Sequence, residues 1–130
     1  MILDSSALVA ILLREPEAER LARAVRKARF VRLSAVTFVE ASIVMTRYHD
    51  AAGPAAVDQW LDEHGVTTEA VTAAQAAIAR TAFLRFGKGR HPAALNFGDC
   101  FSYALARERD EPLLFVGDDF ARTDLRAAVG

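Results

Sequence analysis

Cysteine is nearly missing from this 130-residue chain: Cys100 stands alone, so no intramolecular disulfide can staple the fold and nothing marks an oxidising compartment. Lysine is almost as scarce. Lys27 and Lys88 are the only two, and arginine supplies the other 14 of 16 basic residues, a bias that base composition explains as readily as phosphate recognition does. An excess of positive charge is absent too. Against 17 acidic residues the net charge is -1 and the pI about 6.3, which excludes a global basic field that would gather nucleic acid, so any polyanion must meet a local patch. Long apolar runs are lacking. The longest early one, Ala7 to Leu13, is too short to cross a bilayer, and no basic segment precedes an apolar stretch at the start. Neither secretion nor a membrane span is predicted, and the expected location is cytoplasmic. His49, His64 and His91 show no spacing that would hold zinc.

What is present is apolar material, 52% of the residues, enough for one core in a single domain over 1–130. Met1 to Leu3 reads as a short buried strand, followed by a helix through Leu13 that Ser5 or Ser6 can cap. Pro16 suits the first turn of an amphipathic helix built on Ala18, Leu21, Ala22 and Val25. Phe30 to Leu33 reads as a strand, Ser34 as a cap, and Val36 to Tyr48 as a helix. Gly53 and Pro54 break the chain before a helix carrying Val57, Trp60 and Leu61. Val66 to Val71 can form a strand, with Thr72 capping a helix whose stripe is Ala76, Ala79, Phe83 and Phe86. A polar loop from Gly87 to Asn96 leads to a helix opened by Gly98 and running to about Arg109. Leu113 to Val116 is a last buried strand, and the tail from Asp119 holds at most a short helix. Apolar strands alternating with helices predict an α/β domain with a mainly parallel sheet covered on both faces.

Four acids sit inside or at the mouths of these apolar segments: Asp4, Glu40, Asp99 and Asp118. An ionised carboxylate out of water costs several kcal/mol or more unless paired, hydrogen-bonded or bound to a cation, and several together repel one another. A divalent cation is the simplest common partner. Each acid alone also has a bland explanation. Asp4 can cap the following helix; Asp99 can answer the helix dipole in a first turn; Asp118 and Asp119 form an ordinary Gly-Asp-Asp turn, with Asp118 nearer the strand end. Glu40 is mid-helix, where no cap accounts for it, and its alternative is a buried ion pair with Arg47. Ser6 is either a cap or a hydrogen-bonding partner for a phosphate or a cation's water. Arg85, Lys88, Arg90 and His91 make the most basic stretch, able to meet a phosphate backbone or simply to face solvent.

Asp4-Ser5-Ser6 after a first strand, Glu40 within Ser34 to Ser42, the phrase GKGRHPAALNFGDCFSYALA from Gly87 to Ala106, and LLFVGDDF, in that order, resemble the PIN-domain ribonucleases, and among them the VapC toxins of bacterial toxin–antitoxin pairs. The resemblance spans nearly the whole chain. It implies a PIN-like three-layer α/β/α sandwich, dependence on Mg²⁺ or Mn²⁺, endonucleolytic cleavage of RNA, a cognate antitoxin that inhibits it, and a homodimer. Carried onto these residues, it makes Asp4 and Asp99 direct metal ligands, with Glu40 and Asp118 acting through water or a second ion. Ser6, Arg85, Lys88 and Arg90 become the candidate substrate contacts, and no organic cofactor is expected. The family's last acidic position often lies in a longer Asp-x-Asp-Phe turn, so the adjacent Asp118 and Asp119 both remain candidates here.

Two alternatives come from other classes. A receiver-like phosphoacceptor domain also holds Mg²⁺ with carboxylates at strand ends, but it wants paired acids after the first strand and a lysine after the last, where this chain has serines and Gly-Asp-Asp. A catalytically silent PIN-fold binding module would keep the acids for structure alone.

Overall fold

The computed structural model of the chain describes residues 1–129. Among these, four strands and six helices follow in the order β1 (Ile2–Leu3), α1 (Ser5–Leu12), α2 (Ala18–Lys27), β2 (Arg32–Ser34), α3 (Ala35–His49), α4 (Ala52–Glu63), β3 (Thr67–Glu69), α5 (Ala73–Phe86), α6 (Phe97–Arg109) and β4 (Leu113–Leu114). A 3-10 turn at Phe120–Arg122 follows. The strands form one sheet in the order β3-β2-β1-β4, parallel at every pairing, with Ile2 opposite both Arg32 and Leu113. The chain therefore steps outward from β1 through β2 to β3 and then returns through α5 and α6 to the other side of β1. The order reverses between β1 and β4, the kind of switch point beyond which open parallel sheets place their ligands.

Alternation along the strands builds the three layers. Leu3, Leu33 and Leu114 face α1 to α4, while Ile2 and Leu113 face α5 and α6, and all five are fully buried. β1 and β4, covered on both sides, need no polar alternation and read as short apolar runs, whereas the edge strand β3 is Thr-Thr-Glu and largely exposed. In α2, Leu21 and Val25 turn inward while Arg26 and Glu19 pair outside at 2.8 Å.

Ser34 and Thr72 cap α3 and α5 as expected, accepting from the N–H groups of Val36 and Gln75. The cap of α1 is neither Ser5 nor Ser6. Asp4 takes it, as the capping reading of that acid has it, accepting from the Ser6 N–H, with Ser5 and Ser6 already inside the first turn. Gly53 and Pro54 do not precede α4 but lie in its first turn, where proline lacks nothing a helix needs. Gly53 is there for packing: a Cβ would stand 2.4 Å from the Met45 carbonyl, so α3 and α4 approach backbone to backbone. The α5 stripe is rotated from the expected one. Gln75, Ala79, Ala82 and Phe86 are buried while Ala76 and Phe83 are not, since the Gln75 amide finds the Glu108 carboxylate at 2.8 Å and can go inside. Past the 3-10 turn the tail adds a parallel bridge from Ala127 to Leu113.

Candidate active site

Asp4 leaves the end of β1 almost fully buried, yet its carboxylate is well supplied with donors. Oδ2 accepts from the Ser6 N–H at 3.0 Å and the Ser6 hydroxyl at 2.6 Å, and Oδ1 accepts from the Ser102 hydroxyl of α6 at 2.6 Å. The Ser6 oxygen in turn accepts from the Val116 N–H just beyond β4, so one serine ties the ends of the two strands at the switch point together. With its proton and one lone pair in use, Ser6 is first a brace for Asp4.

Glu40 projects from the middle of α3 and is half-buried, its Oε1 accepting from the Ser5 hydroxyl at 2.7 Å. The expected alternative, an ion pair with Arg47, does not occur: no salt bridge to Glu40 forms among the described residues. Its Oε2 rests against the start of α6, so closely that a Cβ on Gly98 would lie 2.0 Å away. Burial raises the Glu40 pKa above the usual carboxylate range, the Ser5 bond opposes this, and the Asp4 charge adds to it.

Asp99 stands in the first turn of α6. Asn96 and Asp99 form a reciprocal capping box, each side chain accepting from the other's N–H, so the capping role foreseen for an acid at this position is real and occupies Oδ2. Oδ1 makes no hydrogen bond among the described residues. The Asp99 pKa is pushed up to about 7, first by burial and then by the charges of Asp4, Glu40 and Asp119, with the Asn96 N–H pulling the other way. A capping carboxylate on an open surface would feel none of those charges.

The fourth acid is where strand position and field disagree. Position favours Asp118; the field favours Asp119, whose charge reaches Asp99. Both aspartates are exposed, unlike Asp4, Glu40 and Asp99, and Asp119 directly precedes the buried Phe120 of the 3-10 turn. The basic residues lie apart. Arg85 pairs with Asp124 at 3.5 Å and covers the Phe86 ring, Arg90 donates to the Leu84 carbonyl at 3.1 Å, and Lys88 is exposed. None of the three bonds to any of the acids among the described residues.

The donor set decides whether these residues fit a cation. It consists of carboxylate oxygens, with no arginine, lysine or histidine paired to Asp4, Glu40, Asp99, Asp118 or Asp119 among the described residues, and such hard donors suit Mg²⁺ or Mn²⁺. Among those residues no three acidic, histidine or cysteine side chains close into a ready-made cage. Mg²⁺ needs none, since it takes one or two carboxylates and keeps several waters. The residues fit.

A family model for the PIN domain matches residues 1–125. The ribonuclease VapC of Mycolicibacterium smegmatis is 47% identical over 127 residues, covering 98% of both chains, and ribonuclease VapC28 of Mycobacterium tuberculosis is 45% identical over 130 residues, covering 99% of this chain and 98% of that one. The chain belongs to the PIN-domain family, among its VapC ribonucleases. A crystal structure of Mycobacterium tuberculosis VapC20, a sarcin-ricin loop cleaving toxin, superposes with a TM-score of 0.79 at 20% identity, covering 95% of each chain, and shows the shared PIN fold. The receiver-like alternative fails on family and on topology, because receiver sheets run 2-1-3-4-5 and this PIN domain runs 3-2-1-4.

Sequence reasoning passed over Thr37, Asn96, Gly98 and Ser102. A signal existed for two of them: Thr37 precedes Glu40 by three residues and Ser102 follows Asp99 by three, so each hydroxyl shares a helix face with an acid inside an apolar segment.

Proposed function

We propose that this chain is a metal-dependent endoribonuclease and the toxin of a type II toxin–antitoxin pair, with Asp4, Glu40, Asp99 and Asp119 as its acidic site. What carries this reading is a set of carboxylates beyond the β1/β4 switch point whose charges raise the Asp99 pKa, with no cationic side chain paired to them among the described residues. Names of relatives at 45 to 47% identity, all VapC ribonucleases, support the RNA substrate and the toxin role.

Asp4 and Asp99 would hold a Mg²⁺ or Mn²⁺, with Glu40 and Asp119 assisting, and the ion would supply Lewis-acid stabilisation of phosphoryl charge and a stronger water nucleophile at neutral pH. The chain does the rest. Ser6 braces the Asp4 carboxylate, and Ser5 pins one Glu40 oxygen, leaving Oε2 to orient the water for in-line attack. Water attack with the 3′-oxygen as leaving group, breaking the P–O3′ bond as the new P–O bond forms, leaves 3′-hydroxyl and 5′-phosphate ends with no covalent enzyme intermediate. Arg85, Lys88 and Arg90 flank the loop into Asp99 and meet the RNA backbone away from the acids.

An apolar groove of about 690 Å³ beside Glu40 and Gly98 is lined by Val36, Val39, Ile43, Val44 and Phe97, with Val39 52%, Ile43 49% and Phe97 74% exposed. Exposure of that kind supports burial of this face by a second copy in a homodimer. Among the described residues no helix is long and apolar enough to cross a membrane. A cytoplasmic place of action is part of the proposal and follows from an RNA substrate and an antitoxin partner. Purified protein should cut RNA with Mg²⁺ or Mn²⁺, and EDTA or Asp99→Asn should abolish cutting; undiminished cleavage by that variant contradicts the reading. A small product of the neighbouring gene should copurify and suppress cleavage, and Phe97→Glu should convert the dimer to a monomer in sedimentation.

A further inference from the structure

Beneath the acids lies a chain of hydroxyls that neither the capping of α1 nor the proposed chemistry requires. Thr37 of α3 and Ser102 of α6 are both fully buried, and their oxygens meet at 3.0 Å, while Ser102 also reaches Oδ1 of Asp4 at 2.6 Å. The direction of these bonds follows from proton counting. An ionised carboxylate only accepts, so the single Ser102 proton goes to Asp4, and the bond between the two hydroxyls must be donated by Thr37.

Thr37 lies in the first turn of α3, which begins at Ala35, so the residue four back, Leu33, belongs to β2 and offers no helical carbonyl to its hydroxyl. Ser42 and Thr46, farther along α3, donate to the carbonyls of Phe38 and Ser42 at 2.7 Å each, whereas the Thr37 hydroxyl finds its partner across the interior on α6.

The same counting applies to Asp4 itself. Oδ2 already accepts two donors, the N–H and hydroxyl of Ser6, which fill its two lone-pair positions, whereas Oδ1 accepts only Ser102 and keeps one position open. We infer that Oδ1 is the oxygen Asp4 offers to a cation, and that Ser102, oriented by Thr37, is the positioning residue that sets its direction. The inference rests on the metal-nuclease reading above and names residues outside its acidic set.

Isothermal titration of the full-length protein with Mn²⁺, run beside melting curves and RNA cleavage, tests it. Ser102→Ala should weaken Mn²⁺ binding about 10- to 100-fold, the usual consequence of losing a group that orients a metal ligand. Thr37→Val, which keeps the shape and removes the hydroxyl, should weaken it about two- to tenfold, and Thr37→Ser should restore wild-type affinity. The Ser102→Ala, Thr37→Val double variant should bind no worse than Ser102→Ala alone, because Thr37 acts only through Ser102. A purely structural role would instead lower the melting temperature of these variants and leave Mn²⁺ affinity intact, overturning the inference, as would additive effects in the double variant. If Ser102→Ala does not fold, the Thr37→Val and Thr37→Ser pair decides alone. Wild-type protein that binds no Mn²⁺ overturns the metal reading and this inference with it; wild-type binding matched by every variant overturns only the hydroxyl relay.

Discussion

Glu69 and Glu111 converge on Arg32, whose guanidinium reaches both; Arg109 adds a second cation to Glu69 at 2.9 Å and the Met1 amino group a second to Glu111 at 3.1 Å. Each carboxylate at this junction of β2, β3 and the end of α6 has two positive partners. Asp4, Glu40 and Asp99, at the β1/β4 switch point, have hydroxyls and backbone N–H groups instead, and Glu40 and Asp99 have raised pKa values, Asp99 in part through the charge of Asp119. The two regions use the same residue type for different ends. Acids at the Arg32 junction are neutralised within the chain and serve the fold. Acids at the switch point are oriented without being neutralised, which leaves the opposite charge to be supplied from outside.

Substitutions can break that contrast from either side. The largest effect should come from Asp99→Asn, which keeps the capping geometry but removes a charge the site needs, and a gel assay of RNA cleavage with Mn²⁺ should show a loss of about a thousandfold. Gly98→Ala should follow. Its Cβ would collide with the far end of Glu40, a flexible carboxylate that can swing aside, so cleavage should fall about 10- to 100-fold while the melting temperature barely moves. Asp119→Asn should cost about tenfold or more in cleavage and Asp118→Asn much less, the order the field at Asp99 demands; the reverse order would return the fourth position to Asp118. Arg32→Ala should have the smallest effect on cleavage and its own effect elsewhere, lowering the stability measured in urea by about 1–2 kcal/mol because two part-buried carboxylates lose a partner.

Much of this was legible in the chain. The strand and helix order followed from apolar periodicity, and Ser34 and Thr72 announced their caps because nothing else competes for those hydroxyls. At the start of α1 the local reading of Asp4 as a cap holds, while the hydroxyls of Ser5 and Ser6 reach Glu40 on α3 and Val116 beyond β4, which no window of neighbouring residues contains. The α5 stripe was misplaced for a similar reason: burying Gln75 depends on Glu108, 33 residues away. Three of the four acids stood out by being where an unpaired charge is costly. The choice between Asp118 and Asp119 is not legible there, because the two are adjacent, exposed and in one turn, so neither burial nor periodicity separates them.

The claim that the switch-point acids lack a counter-charge is tested most directly by the melting temperature of metal-free protein at pH 6 and pH 8, with and without Mg²⁺. Folding raises the Asp99 pKa from 3.8 to about 7, so the folded chain holds that proton more tightly than the unfolded one. The resulting stability is fully present below the unfolded value and is lost as pH rises through about 7. Metal-free protein should therefore melt lower at pH 8 than at pH 6, and Mg²⁺ should recover the difference. Asp99→Asn should melt at nearly the same temperature at both pH values, which separates Asp99 from His49, His64 and His91. Metal-free wild-type protein with the same pH dependence as Asp99→Asn, and no stabilisation by Mg²⁺ at pH 8, would contradict the account.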